Sequence, residues 1–136
     1  MPQKKIIRGL GILFLFLSAL SVNSQTYWAQ ASGGNDVDEA MDVIHDASGN
    51  VYSTGYFTNS ATFGSNTITS VSSGIPDGYV YKTNSAGQIL WITKFGGIGS
   101  DRGLSIRFDG SGNIFVTGYY YGLATFGTFT LSSVSA

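Results

Sequence analysis

The residues with most chemical promise lie in two short acidic turns. Asp46-Ala-Ser-Gly-Asn50 and Asp109-Gly-Ser-Gly-Asn113 share the pattern Asp-x-Ser-Gly-Asn, which looks like part of a calcium loop. Calcium takes about six to eight oxygen ligands, and loops of the EF type end on an acidic one. Here Asn50 and Asn113 lead directly into strand-like residues, with no carboxylate at the loop end. The pattern favours an aspartate that caps its own turn, with glycine in a left-handed conformation. Calcium is the alternative reading, and no other cofactor is implied.

The remaining candidates are weaker in chemical terms. The acidic run Asn35-Asp36-Val37-Asp38-Glu39, with Asp42, could offer oxygens to a metal. Its counterpart further along, Ile98-Gly-Ser-Asp101-Arg102, keeps one acid, so a solvated loop is favoured. Asp38 and Asp101 share a position, which suggests that each accepts backbone N–H bonds in the loop after Gly-Gly. His45 is the single histidine and stands where Phe108 stands in the second copy. Sharing a face with Met41 and Val43, it is expected to be a partly buried ring rather than a general base. With no Cys and no Ser-His-acid spacing, no catalytic residue can be named. Tyr56, Tyr119, Tyr120 and Tyr121 cluster near strand ends. Such rings can stack on sugar C–H groups while their hydroxyls hydrogen-bond; packing in a core is the favoured alternative.

These residues are positioned by a repeat. Asp46–Tyr56 and Asp109–Tyr119 lie 63 positions apart, and the same register holds without a gap beyond them. Trp28 maps onto Trp91, Gly33-Gly34 onto Gly96-Gly97, Ala61-Thr-Phe-Gly64 onto Ala124-Thr-Phe-Gly127, and Ser70-Val-Ser72 onto Ser133-Val-Ser135. A fixed period of this kind marks a repeat architecture. The first copy covers residues 25–90 and the second, incomplete at its end, 91–136.

Within a unit the pattern is that of short strands and turns. Asp77–Asn84 alternates, with Tyr79 and Tyr81 on one face, and Gln88–Phe95 returns after the turn Ser85-Ala-Gly87. Leu104-Ser-Ile-Arg-Phe108 alternates so as to place Leu104, Ile106 and Phe108 inward, and pairs across the Asp109 turn with Asn113–Tyr119. Each unit thus carries four strands, and the Ala124–Val134 linker can hold a further short extended piece.

Composition agrees with an exported all-β chain. Charged residues are 11% and hydrophobic ones 43%, the latter in short alternating runs. Residues 1–24 read as a secretory signal peptide: Lys4, Lys5 and Arg8 precede the apolar Leu10–Leu20, and Val22-Asn-Ser24 offers cleavage before Gln25. A membrane anchor is the alternative, but the apolar run falls short of the roughly 20 residues a span needs. After cleavage four basic residues remain against eight acidic ones. That balance offers no basic stripe for nucleic acid, and once the signal segment is removed no membrane span is expected. Zero Cys excludes a disulfide framework.

The succession Trp, Gly-Gly, Asp, Asp-x-Ser-Gly-Asn-(Ile/Val)-aromatic-x-Thr-Gly, then Asp-Gly-Tyr-Val, resembles the SBBP family of β-propeller repeats in secreted bacterial proteins. The resemblance covers residues 28–136. It implies tandem four-stranded antiparallel blades, about two of them, in a partial propeller behind a signal-peptide helix. The 63-residue period exceeds the roughly 40–50 residues of common blades, which points to the Ala-Thr-Phe-Gly linker as an addition. A parallel β-solenoid is the structural alternative. Closed propellers need about four to eight blades, so the chain is expected to be the N-terminal piece of a longer protein or a truncated product. The resemblance implies an extracellular or cell-surface scaffold or interaction module with a protein or glycan partner. The alternatives are the propeller part of a secreted hydrolase or lyase, and a glycan-binding adhesin using the tyrosines.

Overall fold

A computed structural model describes residues 27–109 and 111–134; the signal segment expected at residues 1–24 lies outside them. The described chain is all-β and antiparallel throughout, with eleven strands and no helix among the described residues. Among the described residues the sheets stay open, and none closes into a ring or barrel.

Four strands form a consecutive antiparallel meander: β2 (Asp38–His45), β3 (Val51–Thr58), β6 (Pro76–Thr83) and β7 (Ile89–Gly97). The intervening β4 (Ser60–Phe63) and β5 (Asn66–Thr69) fold out as a separate hairpin. That hairpin pairs with the short β1 (Ser32–Gly34). The second copy supplies β8 (Arg102–Phe108) and β9 (Ile114–Tyr119) as a hairpin. It then supplies β10 (Leu123–Phe126) and β11 (Phe129–Ser132), which pair with each other, β10 pairing also with the end of β7.

The linker therefore holds two strands per copy, and both copies use them alike. In the first, Gly33 and Gly34 face Thr62 and Ala61; in the second, Gly96 and Gly97 face Thr125 and Ala124. Each linker hairpin clasps the strand that ends in Gly-Gly. The long period is thereby accounted for, and β10–β11 bonds the second copy directly to the first sheet. This sheet runs across residues 90 and 91, because a repeat has no intrinsic starting point and hydrogen bonding sets where the sheet begins.

The turns expected at Asp46 and Asp109 are alike in detail. Asp46 Oδ1 accepts the N–H groups of Ser48 and Asn50, both at 2.9 Å, and Asp109 Oδ1 accepts those of Ser111 and Asn113 at 2.7 and 2.8 Å. Asn50 and Asn113 return their side-chain amides to the second carboxylate oxygen. Gly49 and Gly112 take φ of 77° and 84°, a region that costs other residues steric strain. The turn at Asn84 is a third example: Asn84 Oδ1 accepts the N–H groups of Ala86 and Gln88, both at 3.0 Å, and Gly87 has φ 81°.

Each copy also carries a β-bulge at the same place. The register of β2 on β3 shifts between Ala40 and Asp42, and that of β8 on β9 between Gly103 and Ser105. The extra residues are Met41 and Leu104, which a bulge leaves unpaired. Leu104 is therefore 39% exposed and not inward as alternation predicts, whereas Ile106 is fully buried and Phe108 half-buried.

The main core gathers Phe57, Ala61, Phe63 and Tyr79, with Ile68, Tyr81, Ile89 and Ile92 packed around it. Tyr79 and Tyr81 share a face, as expected, and both pack on Phe63, with centroids 4.9 and 5.5 Å away. Burying each of these rings contributes on the order of 2–3 kcal/mol. The β8–β9 hairpin lies against β2, β3 and β6, with Phe108 edge-on to Tyr52 at 5.0 Å. Consecutive copies thus lean on each other through their apolar sides.

Candidate functional site

The acidic candidates are dispersed among separate structural tasks. Asp38 accepts the N–H groups of Gly34 at 2.6 Å and Thr58 at 3.2 Å. Asp101 accepts those of Gly97 at 2.7 Å and Tyr121 at 3.1 Å. Thr58 and Tyr121 are themselves 63 positions apart, so one carboxylate does the same job in each copy: it ties the Gly-Gly strand to the end of the partner hairpin. Asp36 binds the side-chain amide of Asn59. Among the described residues no group of three or more His, Asp or Glu is placed to hold a metal ion.

The two turn aspartates are occupied as hydrogen-bond acceptors. Asp46 Oδ2 takes the Asn50 amide and the Tyr52 hydroxyl. Donation by the Asn50 side chain, above all, holds the Asp46 carboxyl below its ordinary range, and Asn113 does the same for Asp109. Neutral Asn84 builds the same turn, so the turn's geometry needs an acceptor oxygen and not a charge.

Asp42 has a task that sequence reasoning missed. It crosses from β2 to β8, accepting the Ile106 N–H at 2.9 Å and the Ser105 hydroxyl at 2.8 Å, and it pairs with Arg107. Ser105 stands at the repeat position of Asp42, so the one signal was a carboxylate and a hydroxyl at equivalent places. The Ile106 N–H, first, and the Ser105 hydroxyl lower the Asp42 carboxyl strongly. A depressed folded-state pKa gives stability that is present above the ordinary carboxylate value and lost as pH falls through the folded one. Asp42→Asn should thus loosen the contact between copies at neutral pH and flatten the acid limb of the stability curve. Thermal melts of both proteins between neutral and strongly acidic pH would check this; parallel curves would refute it.

His45 is exposed, contrary to expectation. It lies on the face of β2 that it shares with exposed Val43, whereas Ile44 on the opposite face is half-buried; its Nδ1 lies 3.2 Å from the Asp46 carbonyl oxygen.

The four tyrosines divide. Tyr56 is buried at 4% exposure and Tyr120 is half-buried, whereas Tyr119 is 37% and Tyr121 61% exposed. Tyr119 and Tyr121 meet edge to face, with planes 65° apart, and so do not form one flat platform. The Arg102 guanidinium stacks 3.9 Å from the centre of the Tyr56 ring and 5.9 Å from that of Tyr119. Beside them an open, largely apolar cavity of about 440 Å³ is lined by Val80, Phe95, Arg102, Val116 to Tyr120, Phe126 and Leu131. Arg102 Nε is itself buried, with no acceptor among the described residues.

Compared with protein-family models, curated proteins and solved structures, the chain has no match.

Proposed function

We propose that the chain is an exported repeat protein of the SBBP β-propeller type, acting outside the cell as a scaffold or interaction module. The observation that carries this reading is the recurrence, at a 63-residue interval, of one whole set of turn, bulge and clasp bonds. A unit that repeats its hydrogen bonds and stacks on its neighbour extends a surface without altering it, which suits spacing and display. The candidate polar groups are spent on holding that framework, and the open apolar cavity is the surface best suited to a partner. Export is supported by the basic and apolar residues that open the sequence.

Expression of the full chain in a bacterial host with a secretion pathway tests the address. Mass spectrometry should find a mature protein beginning at Gln25 outside the cytoplasm. An uncleaved chain retained in the membrane fraction would overturn the proposed export.

A further inference from the structure

The cavity beside β9 matches a place that is filled in the first copy. There β6 runs antiparallel along β3, with Tyr79 opposite Gly55 and Thr54 opposite Val80. The Tyr79 ring packs on Phe63 at 4.9 Å, and its hydroxyl donates to the Glu39 carbonyl oxygen at 3.2 Å. Gly55 admits that hydroxyl, since a Cβ there would lie 2.9 Å from it. Tyr79 is 3% exposed as a result.

Shifting each of these positions by 63 residues gives the groove of the second copy. Gly118 stands for Gly55, Phe126 for Phe63, Leu131 for Ile68, Tyr120 for Phe57 and Arg102 for Glu39. All five line the open cavity. The backbone frame is the same: a Cβ on Gly118 would lie 1.9 Å from the Arg102 carbonyl oxygen, as one on Gly55 would from that of Glu39. Yet among the described residues β9 pairs with β8 alone, so its other edge is unpaired.

We propose that this groove is an acceptor for one extended strand of the pattern Asp-Gly-Tyr-x-Tyr, added antiparallel to the free edge of β9. The first tyrosine ring of the incoming strand covers Phe126, and its hydroxyl enters the notch at Gly118 to donate to the Arg102 carbonyl. Its aspartate accepts the Val134 N–H, as Asp77 accepts that of Val71 at 2.9 Å. Main-chain bonds give affinity in such strand addition, and alternate side chains give selectivity. The inference rests on the repeat-module reading and names the chemistry of its partner.

The probe is a synthetic peptide with the sequence of residues 74–84, added to the full, isotope-labelled chain. Saturable binding is expected, with amide-exchange protection gained along β9 and not along β3. Replacing the peptide's first tyrosine by alanine should weaken binding about tenfold or more. Leu131→Lys in the protein, at a residue already 49% exposed, should also weaken it. Unchanged exchange at β9, with β3 and β6 well protected, would overturn the acceptor and leave the repeat reading intact. Freely exchanging β3 and β6 amides would overturn both. Equal binding of the alanine peptide would overturn the assigned strand chemistry. Protection of β9 that grows with protein concentration, without peptide, would replace the proposed occupant with a second copy.

Discussion

Asp101→Asn should destabilise the protein by about 1–3 kcal/mol at neutral pH, whereas Asp77→Asn should leave it at least as stable. Both carboxylates are fully buried, and both stand 2.8 Å from where a Cβ on Gly96 would lie. Their environments nevertheless differ. Each oxygen of Asp101 accepts one backbone N–H, from Gly97 and from Tyr121. An asparagine there must turn its NH2 toward one of these donors and leave it unsatisfied. Asp77 uses Oδ2 for the Val71 N–H, while its Oδ1 has no hydrogen-bond partner among the described residues. Asparagine at 77 can keep the first bond and removes a buried charge beside a like one, giving up a long, 3.9 Å pairing with part-exposed Lys94.

The pH dependence of the pair separates this account from a merely steric one. Burial, before other causes, raises the carboxyl pKa of Asp77 and of Asp101; the Val71 N–H and then Lys94 oppose this for Asp77, and the two N–H bonds oppose it for Asp101. A raised folded-state pKa means stability fully present below the unfolded value and lost as pH rises through the folded one. Asp42, Asp46 and Asp109, shifted downward, act in the opposite sense and lose their contribution as pH falls below the ordinary carboxylate range. Stability should therefore peak on the acid side of neutrality. Asp77→Asn should flatten the decline toward neutral pH. Denaturant titrations across that range would measure it, and a decline equally steep in the variant would contradict the assignment to Asp77.

A second large effect is expected at Gly97. A Cβ there would lie 1.8 Å from the carbonyl oxygen of Leu123, and one on Gly34 would lie 1.9 Å from that of Ser60. These are backbone atoms of the clasping strands, so no rotamer change relieves the overlap. Gly97→Ala should push β10–β11 away from β7 at a cost of about 1–3 kcal/mol or more. Gly112→Ala is the comparison: its φ is +84°, but nothing lies within 4 Å of the added atom. It should cost on the order of 1 kcal/mol, from backbone strain alone. Thermal melts, with hydrogen exchange read at β10 and β11, would rank the two. A Gly97→Ala protein as stable as Gly112→Ala, with its clasp still protected, would show that the close approach is dispensable.

Much of the candidate surface was legible in advance only as residue types. The tyrosine cluster was visible at positions 56 and 119–121, yet Tyr56 went to the interior and Tyr121 to solvent. A ring's burial depends on which strand covers it, and β9 has a neighbour on one side while β3 has one on both. His45 is exposed because it falls, with Val43, on the face of β2 that the fold leaves uncovered, while Ile44 takes the half-buried face. Leu104 departs from the expected inward position because alternation assumes an unbroken ladder, and the bulge at Gly103/Ser105 breaks it.

What residue order determined by itself was local: the Asp-x-Ser-Gly-Asn turns, the hairpins they close, the all-β class and the shared repeat position of Asp38 and Asp101. Those features depend on contacts within a few residues, or on a period that can be counted along the chain. The tertiary structure alone decided that the linker becomes a clasp, that Asp42 reaches across to β8, and that the edge of β9 opens onto a cavity. Each depends on which segments meet after the chain turns back on itself, and strand-to-strand hydrogen bonds between distant backbones carry no residue-specific mark.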